Sequence, residues 1–304
     1  MIIRFSNNRF FTVLIIMAAV CSQAISEDSG IKYGTAKEIC RVKDRRINES
    51  SGVAVSWRNK DTFWTHNDSG DSARIFLSTK KGETVAVVNI KGAMAVDWED
   101  IASFKSGKEC YILVADVGDN NKVRKVYTLY LIREPVIGMK AENNEAIYID
   151  IEPVMTINFS YEDGAHNCES IAVDPTGATI YLVSIKAGNE CKVYSLPIPE
   201  NESKEPLIAK AIATLKIPET TAMDISSDGM RAVVLTYGDA YEFTRKKDEA
   251  WAQAFTREPR KLKMPSRKQG ESICYGVDGQ TLYLTSEYEN QPLWEIPVIR
   301  EGKQ

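Results

Sequence analysis

The chain has 304 residues, 43% of them hydrophobic and 26% charged, which describes a soluble globular protein with room for one large domain or two ordinary ones. Its net charge of -4 excludes nucleic acid as the main partner, because phosphate binding needs a clustered positive field. With 2 His and 6 Cys in all, ligands for a zinc site are too sparse.

Arg4 and Arg9 precede an apolar run from Phe10 to Val20, and Ser22-Gln23-Ala24 offers small residues for a signal peptidase. The run is too short to cross a bilayer. The pattern predicts a signal peptide over 1–24, no membrane span, and a secreted or periplasmic product. Lipid anchoring through Cys21 is the alternative, against which stands the bulk of Val20 just before it. Ser26 to Gly34 then reads as a polar arm, and Ala36 to Val42 as a short alternating strand with no partner of its own nearby.

The rest of the chain repeats. A small or acidic residue followed by an apolar-small-apolar triplet occurs at Ser51-Gly52-Val53-Ala54-Val55, Glu99-Asp100-Ile101-Ala102, Glu169-Ser170-Ile171-Ala172-Val173, Asp224-Ile225-Ser226 and Glu271-Ser272-Ile273-Cys274. The copies lie roughly 50 to 70 residues apart, with only strand-like, turn-punctuated sequence between, the signature of a propeller with one copy per blade. Each of the first four repeats holds three more β-branched or aromatic runs, as in Thr62–Thr65, Arg74–Leu77 and Thr84–Val88 after the first copy, and the fifth holds two. Asp174-Pro175-Thr176-Gly177, Ser227-Asp228-Gly229 and Val277-Asp278-Gly279 supply the hairpin turns between first and second strands. Two insertions, Glu134 to Glu152 and Lys246 to Arg260, separate third from fourth strands, and the second carries a short helical pattern around Glu249 to Gln253.

The last repeat lacks its fourth strand, and the N-terminal strand is spare. The expected fold is therefore all-β: one domain over 25–304, a five-bladed β-propeller of four-stranded antiparallel blades closed by the N-terminal strand, which removes both free edges. Six blades is the alternative if the longer second repeat hides one. Of the five cysteines left after cleavage, Cys168 and Cys191 fall in one repeat, in loops expected on one face, and are the most plausible disulfide in an oxidising compartment.

In such a blade, the loop leading into the first strand and the loop joining second to third emerge on one face of the disk. That face collects Asp97, Glu99, Asp100, Glu169, Asp224 and Glu271, together with Asp68, Asp71, Asp119, Asn120 and Glu287, while lysines and arginines such as Lys80, Lys105 and Lys246 go to the other. Asp, Asn and Gly are turn formers, so local backbone bonding accounts for many of these residues. Where the acids meet around the axis, their repulsion calls for a proton or a cation. Glu99, Glu169 and Glu271, with Asp68, are the candidate ligands of Ca²⁺, the one cofactor expected, and equally the candidate acids and bases. Asp97 and Asp100 read as the turn that supports Glu99. His66 and His166 lie on the same face beside Asp68 and Glu169, as candidate proton carriers. Lys186 is a candidate counter-ion, and Trp98, Tyr237, Tyr275 and Tyr288 offer flat rings for a sugar or another polyol.

The run His66-Asn67-Asp68-Ser69-Gly70-Asp71, Asp97-Trp98-Glu99-Asp100-Ile101-Ala102, Asp116-Val117-Gly118-Asp119-Asn120 and Gly270-Glu271-Ser272-Ile273 resembles a group of exported bacterial β-propeller proteins, mostly of unassigned function. The resemblance covers nearly all of the mature chain and implies fold and location, not a reaction. More distantly the architecture is similar to Ca²⁺-dependent lactonase-type propellers and five-bladed glycosidases, a likeness of fold alone. Two functions are expected from different classes. One is a monomeric binding propeller that holds a small-molecule or glycan ligand, a protein partner or a cation on its acidic face; the other is a metal-dependent or acid/base hydrolase of a sugar or lactone.

Overall fold

The structure is a computed structural model and describes residues 30–138, 145–185 and 190–299. The expected signal peptide, Cys21 and Lys186 lie outside the described residues. Two short strands, β1 (Lys32–Tyr33) and β2 (Lys37–Arg41), precede β3 (Ser50–Val55), β4 (Thr62–Asn67), β5 (Arg74–Thr79) and β6 (Thr84–Ile90). Then come β7 (Trp98–Ser106), β8 (Glu109–Asp116), β9 (Tyr127–Arg133), β10 (Ile147–Ile151) and β11 (Met155–Tyr161). These lead to β12 (Cys168–Asp174), β13 (Thr179–Ile185), β14 (Cys191–Pro197) and β15 (Leu207–Leu215). After β16 (Thr220–Ile225), β17 (Arg231–Thr236) and β18 (Ala240–Thr244), a single helical turn α1 (Trp251–Ala254) leads to β19 (Arg260–Leu262). The described residues end on β20 (Ser272–Tyr275), β21 (Leu282–Thr285), β22 (Pro292–Ile296) and β23 (Val298–Ile299).

The protein is all-β and propeller-like. Strands β3 to β6 form an antiparallel meander whose outer edge is covered by β10, paired parallel to β6. The insertion after β9 thus supplies an edge cover, which its sequence did not announce. Strands β7-β8-β9-β11 and β12-β13-β14-β15 join at their outer edges, where β11 runs parallel to β15, into an eight-stranded sheet. Its two end strands, β7 and β12, pack on one another, so the sheet nearly closes. Strands β16 to β19 form a fourth antiparallel set. In the last sheet β2 pairs with β22, so the spare N-terminal strand completes the C-terminal set as its sequence predicts.

The first strands of the sets, β3, β7, β12, β16 and β20, stand in a ring, each packed on the next and β20 back on β3. The hydrophobic core is accordingly divided into clusters between neighbouring sets. Ile75, Leu77 and Trp64 meet Ile112, Val114 and Tyr130 in one of them, while Val53 and Phe63 meet Tyr283 and Leu293 in another. Each fully buried aliphatic or aromatic side chain contributes about 1.5–3 kcal/mol.

The ring leaves little space at its axis, and the sequence fills it with small residues and two acids. Equivalent positions of the five inner strands carry Gly52, Asp100, Ser170, Ala222 and Ser272 and, two residues further on, Ala54, Ala102, Ala172, Asp224 and Cys274. Asp100 accepts the backbone N–H groups of Ile101 at 2.8 Å, Ile171 at 2.9 Å and Met223 at 3.2 Å, tying three inner strands together. Asp224 does the same for Ile225 and Tyr275, each at 2.8 Å. Gly52 is required for space: a Cβ there would stand 2.7 Å from His66 Nε2 and 2.8 Å from the Ile101 nitrogen.

Cys168 and Cys191 are not joined. Cys168 pairs across to Ser184 and Cys191 to Ile185, so β13 lies between the strands that carry them. Two strand spacings separate their backbones by about 10 Å, beyond the reach of a disulfide. Each thiol is buried in a different core cluster, Cys168 on the Ser170 carbonyl and Cys191 on that of Pro218.

Candidate functional site

The acids are brought to the axis by one repeated irregularity. In four of the inner strands the register slips by a residue just where the strand begins: between Ser50 and Gly52, Trp98 and Asp100, Cys168 and Ser170, and Thr220 and Ala222. The extra residue of each bulge is Ser51, Glu99, Glu169 and Thr221, and Glu271 holds the same place just before β20. A bulge breaks the two-residue alternation and re-aims one side chain, here at the end of the axis. Three of the five positions carry glutamate.

Around this mouth the loops between second and third strands add Asp68 and Glu287, and the turn before β7 adds Asp97. The carboxylate oxygens of Asp68, Asp97 and Glu99 lie within 4.8 Å of one another. Asp97 is held there from behind. Asp116 accepts its N–H at 3.2 Å, Arg124 fixes Asp116 at 2.7 Å, and the Asp97 carbonyl takes the N–H groups of Val117 and Gly118. Ser51 reaches from the neighbouring strand to the Glu99 carbonyl at 2.8 Å.

Crowding shows in proton affinity. Burial pushes Asp68 up to about 7, reinforced by the charges of Asp97, Glu169 and Glu287. Burial, then Glu169 and Asp68, raises Glu99 well above the carboxylate range. Glu169 is also raised by burial, although Asn167 donates to it at 2.7 Å. Burial and a hydrogen bond with Glu287 bring Glu271 up to about 9. The Tyr237 hydroxyl, itself raised by burial, bonds Glu271 from the half-exposed rim. Gln269 donates to Glu287 at 3.0 Å.

The sequence-derived candidates therefore divide. Asp68, Asp97, Glu99, Glu169, Glu271, Glu287 and Tyr237 come together. Asp71 is engaged by Arg74 and Asn67, and Asp119 is spent on the amides of Val123 and Arg124 and on the Tyr127 hydroxyl, which keeps its carboxyl low. Asn120 meets only Asn167 among these polar groups, at 3.2 Å. Trp98 is core, its Nε1 donating to the Met94 carbonyl at 2.9 Å. Tyr275 ends β20 at the far end of the axis, its hydroxyl on Glu242. His66 is fully buried against Trp98 with Nδ1 on the Asn67 carbonyl; burial lowers it to about 4, so it stays neutral behind the wall. His166 lies on an outer cluster with Asp163 and Tyr194, at 2.9 and 2.8 Å.

Sequence reading overlooked Gly118. A methyl group on its Cα would overlap the Asp97 and Glu99 carboxylates, so the backbone there shapes the floor of the cluster. Gly118→Ala is expected to fold normally, because the groups in the way are the free ends of side chains, and to displace both acids. The check is Ca²⁺ affinity by calorimetry, which should fall at least tenfold with little change in the metal-free unfolding midpoint.

Fold and site define the class: an all-β, propeller-like protein with carboxylates crowded at one end of its axis. No family model matches the chain, and no curated protein matches it. Among solved structures, a gluconolactonase of Xanthomonas campestris is similar at 11% identity over 90% of this chain and 96% of that one, with a TM-score of 0.47.

Proposed function

We propose that the chain is an exported five-bladed propeller that holds one Ca²⁺ ion among Asp68, Asp97 and Glu99 and uses it to bind an oxygen-rich small ligand, a sugar or a lactone. The observation that carries this reading is the convergence of three carboxylates within 4.8 Å. An all-oxygen donor set with no cysteine or histidine suits a hard cation, and Glu169 stands next to Glu99 as a further donor. A cation also relieves the repulsion that raises these acids. The ring of five inner strands and the absence of a sixth such strand among the described residues support five blades over six.

Hydrolysis is a second reading, favoured by Glu271. A carboxyl group pushed up to about 9 stays protonated at neutral pH and can act as a general acid, while a cation held by Asp68, Asp97 and Glu99 would supply polarisation of a carbonyl or acetal oxygen. Calorimetric titration with Ca²⁺ is expected to give one site per chain, weakened at least tenfold in Asp97→Asn and Glu99→Gln. Absence of saturable heat in the wild type would overturn the metal reading. With a panel of sugar lactones and aryl glycosides, chelator-sensitive turnover that drops about 10²–10⁴-fold in Glu271→Gln identifies a hydrolase; saturable binding without turnover identifies a binding protein.

A further inference from the structure

The axis has a second opening, at the end opposite the acids. There the last residues of the inner strands enclose a cavity of about 310 Å³. Val55, Val173, Ile225, Tyr275 and Asp224 are among the residues that line it. Lys105 is drawn aside at the rim, its ammonium 4.5 Å from the centre of the Trp57 ring.

Asp224 is the one acidic side chain in this lining. Each of its oxygens already accepts one backbone N–H, at 2.8 Å. A carboxylate offers about four acceptor sites, so two remain for a donor arriving through the cavity. The Tyr275 hydroxyl is turned away to Glu242 and the Ser103 hydroxyl is bonded to the Val55 carbonyl at 2.7 Å, so neither competes for that donor. Val55, Phe104, Val173, Ile225 and Val277 give the walls an apolar part, beside which stand Ser103, Ser227 and the rim Lys105. A cavity of ~150 Å³ holds a benzene ring, so one of twice that size takes a one- or two-ring body with a short side chain.

We infer that this cavity is a binding site for a small organic amine with an aromatic or compact apolar body, its ammonium group seated on Asp224. The ammonium makes a charge-assisted hydrogen bond in a partly dry site, stronger than a neutral hydroxyl would make, and the ring replaces water against Val55, Val173 and Ile225. A burial-raised Asp224, at about 7, is consistent with an acid that an incoming cation ionises. None of Asp68, Asp97 and Glu99 is in its lining.

Titration with 2-phenylethylamine in buffer containing a chelator tests this, with 2-phenylethanol and 3-phenylpropionate as neutral and anionic comparators. The amine is expected to bind saturably, at least tenfold more tightly than either comparator. Asp224→Asn should weaken it at least tenfold. Because Asp224 also holds two backbone amides, Val277→Arg provides a second variant: Val277 lines the cavity yet is 60% exposed, so arginine there adds a repelling cation at the rim without disturbing the core. It too should weaken the amine at least tenfold. Absence of saturable binding, equal binding of the alcohol, or full binding by Val277→Arg would each overturn the inference.

Discussion

Saturating Ca²⁺ is expected to raise the thermal unfolding midpoint by about 5–10 °C at pH 8 and by much less at pH 5.5. An ion present at 100 times its dissociation constant stabilises the folded state by about 2.7 kcal/mol, and each kcal/mol is worth roughly 2–4 °C in a domain of this size range. The pH dependence follows from the crowded acids. Asp68 and Glu271 titrate at about 7 and about 9 when folded, far above the usual unfolded values near 4. Groups whose folded pKa is raised stabilise the protein fully below the unfolded pKa and lose that contribution as pH rises through the folded one. The metal-free protein should therefore lose stability between about pH 4 and pH 9. Ca²⁺ takes the place of the protons and restores it, whereas at pH 5.5 protons compete for the same oxygens. Asp97→Asn should cut the Ca²⁺ response to about half or less and flatten the metal-free pH slope, since it withdraws one of the charges acting on Asp68 and Glu169. A midpoint indifferent to Ca²⁺ at pH 8, or a larger gain at pH 5.5, would contradict the site.

The ring of inner strands was legible because its signal is spacing: a repeated triplet, hairpin turns built on Gly, and a spare strand at one end matched to a missing strand at the other. The acids Glu99, Glu169 and Glu271 were legible as a set for the same reason. What the alternation of strand residues could not convey is the bulge. It turns Glu99 to the axis while Trp98, its neighbour, goes into the core, so Trp98 looked like a ligand platform and is not one. Asp97 is expected both as a ligand contact and as part of the turn supporting Glu99, and it stands among the carboxylates because Asp116 and Arg124 hold it there, partners about 20 residues and more along the chain. Tyr275 closes the far end of β20 and not the mouth, because four residues carry that strand along the axis from Glu271 to the opposite end. The Cys168–Cys191 pairing failed on strand order, since residues of one repeat need not lie on adjacent strands.

Asp100 was also read as part of a turn, and its replacement by alanine is expected to cost more stability than any change at the mouth. Its carboxyl group is buried at the axis, where it accepts N–H groups from β7, β12 and β16 at once. Alanine leaves three buried donors without partners, each costing about 1–3 kcal/mol, and adds a void at a buried position. A loss on the order of 3–6 kcal/mol is expected, a large share of the ~5–15 kcal/mol that holds a domain together. Asn keeps the shape and one acceptor oxygen but turns an NH₂ group toward an N–H donor, so Asp100→Asn should fall between wild type and alanine. Denaturant unfolding measures both. The carboxylates of Asp68, Asp97 and Glu99 are untouched by either change, so Ca²⁺ should still raise the midpoint of Asp100→Ala by about the wild-type increment. A cost under about 1 kcal/mol for Asp100→Ala would show that the inner strands do not depend on this acid. A lost Ca²⁺ response in a folded Asp100→Ala protein would show instead that the axial pin and the mouth are one coupled structure.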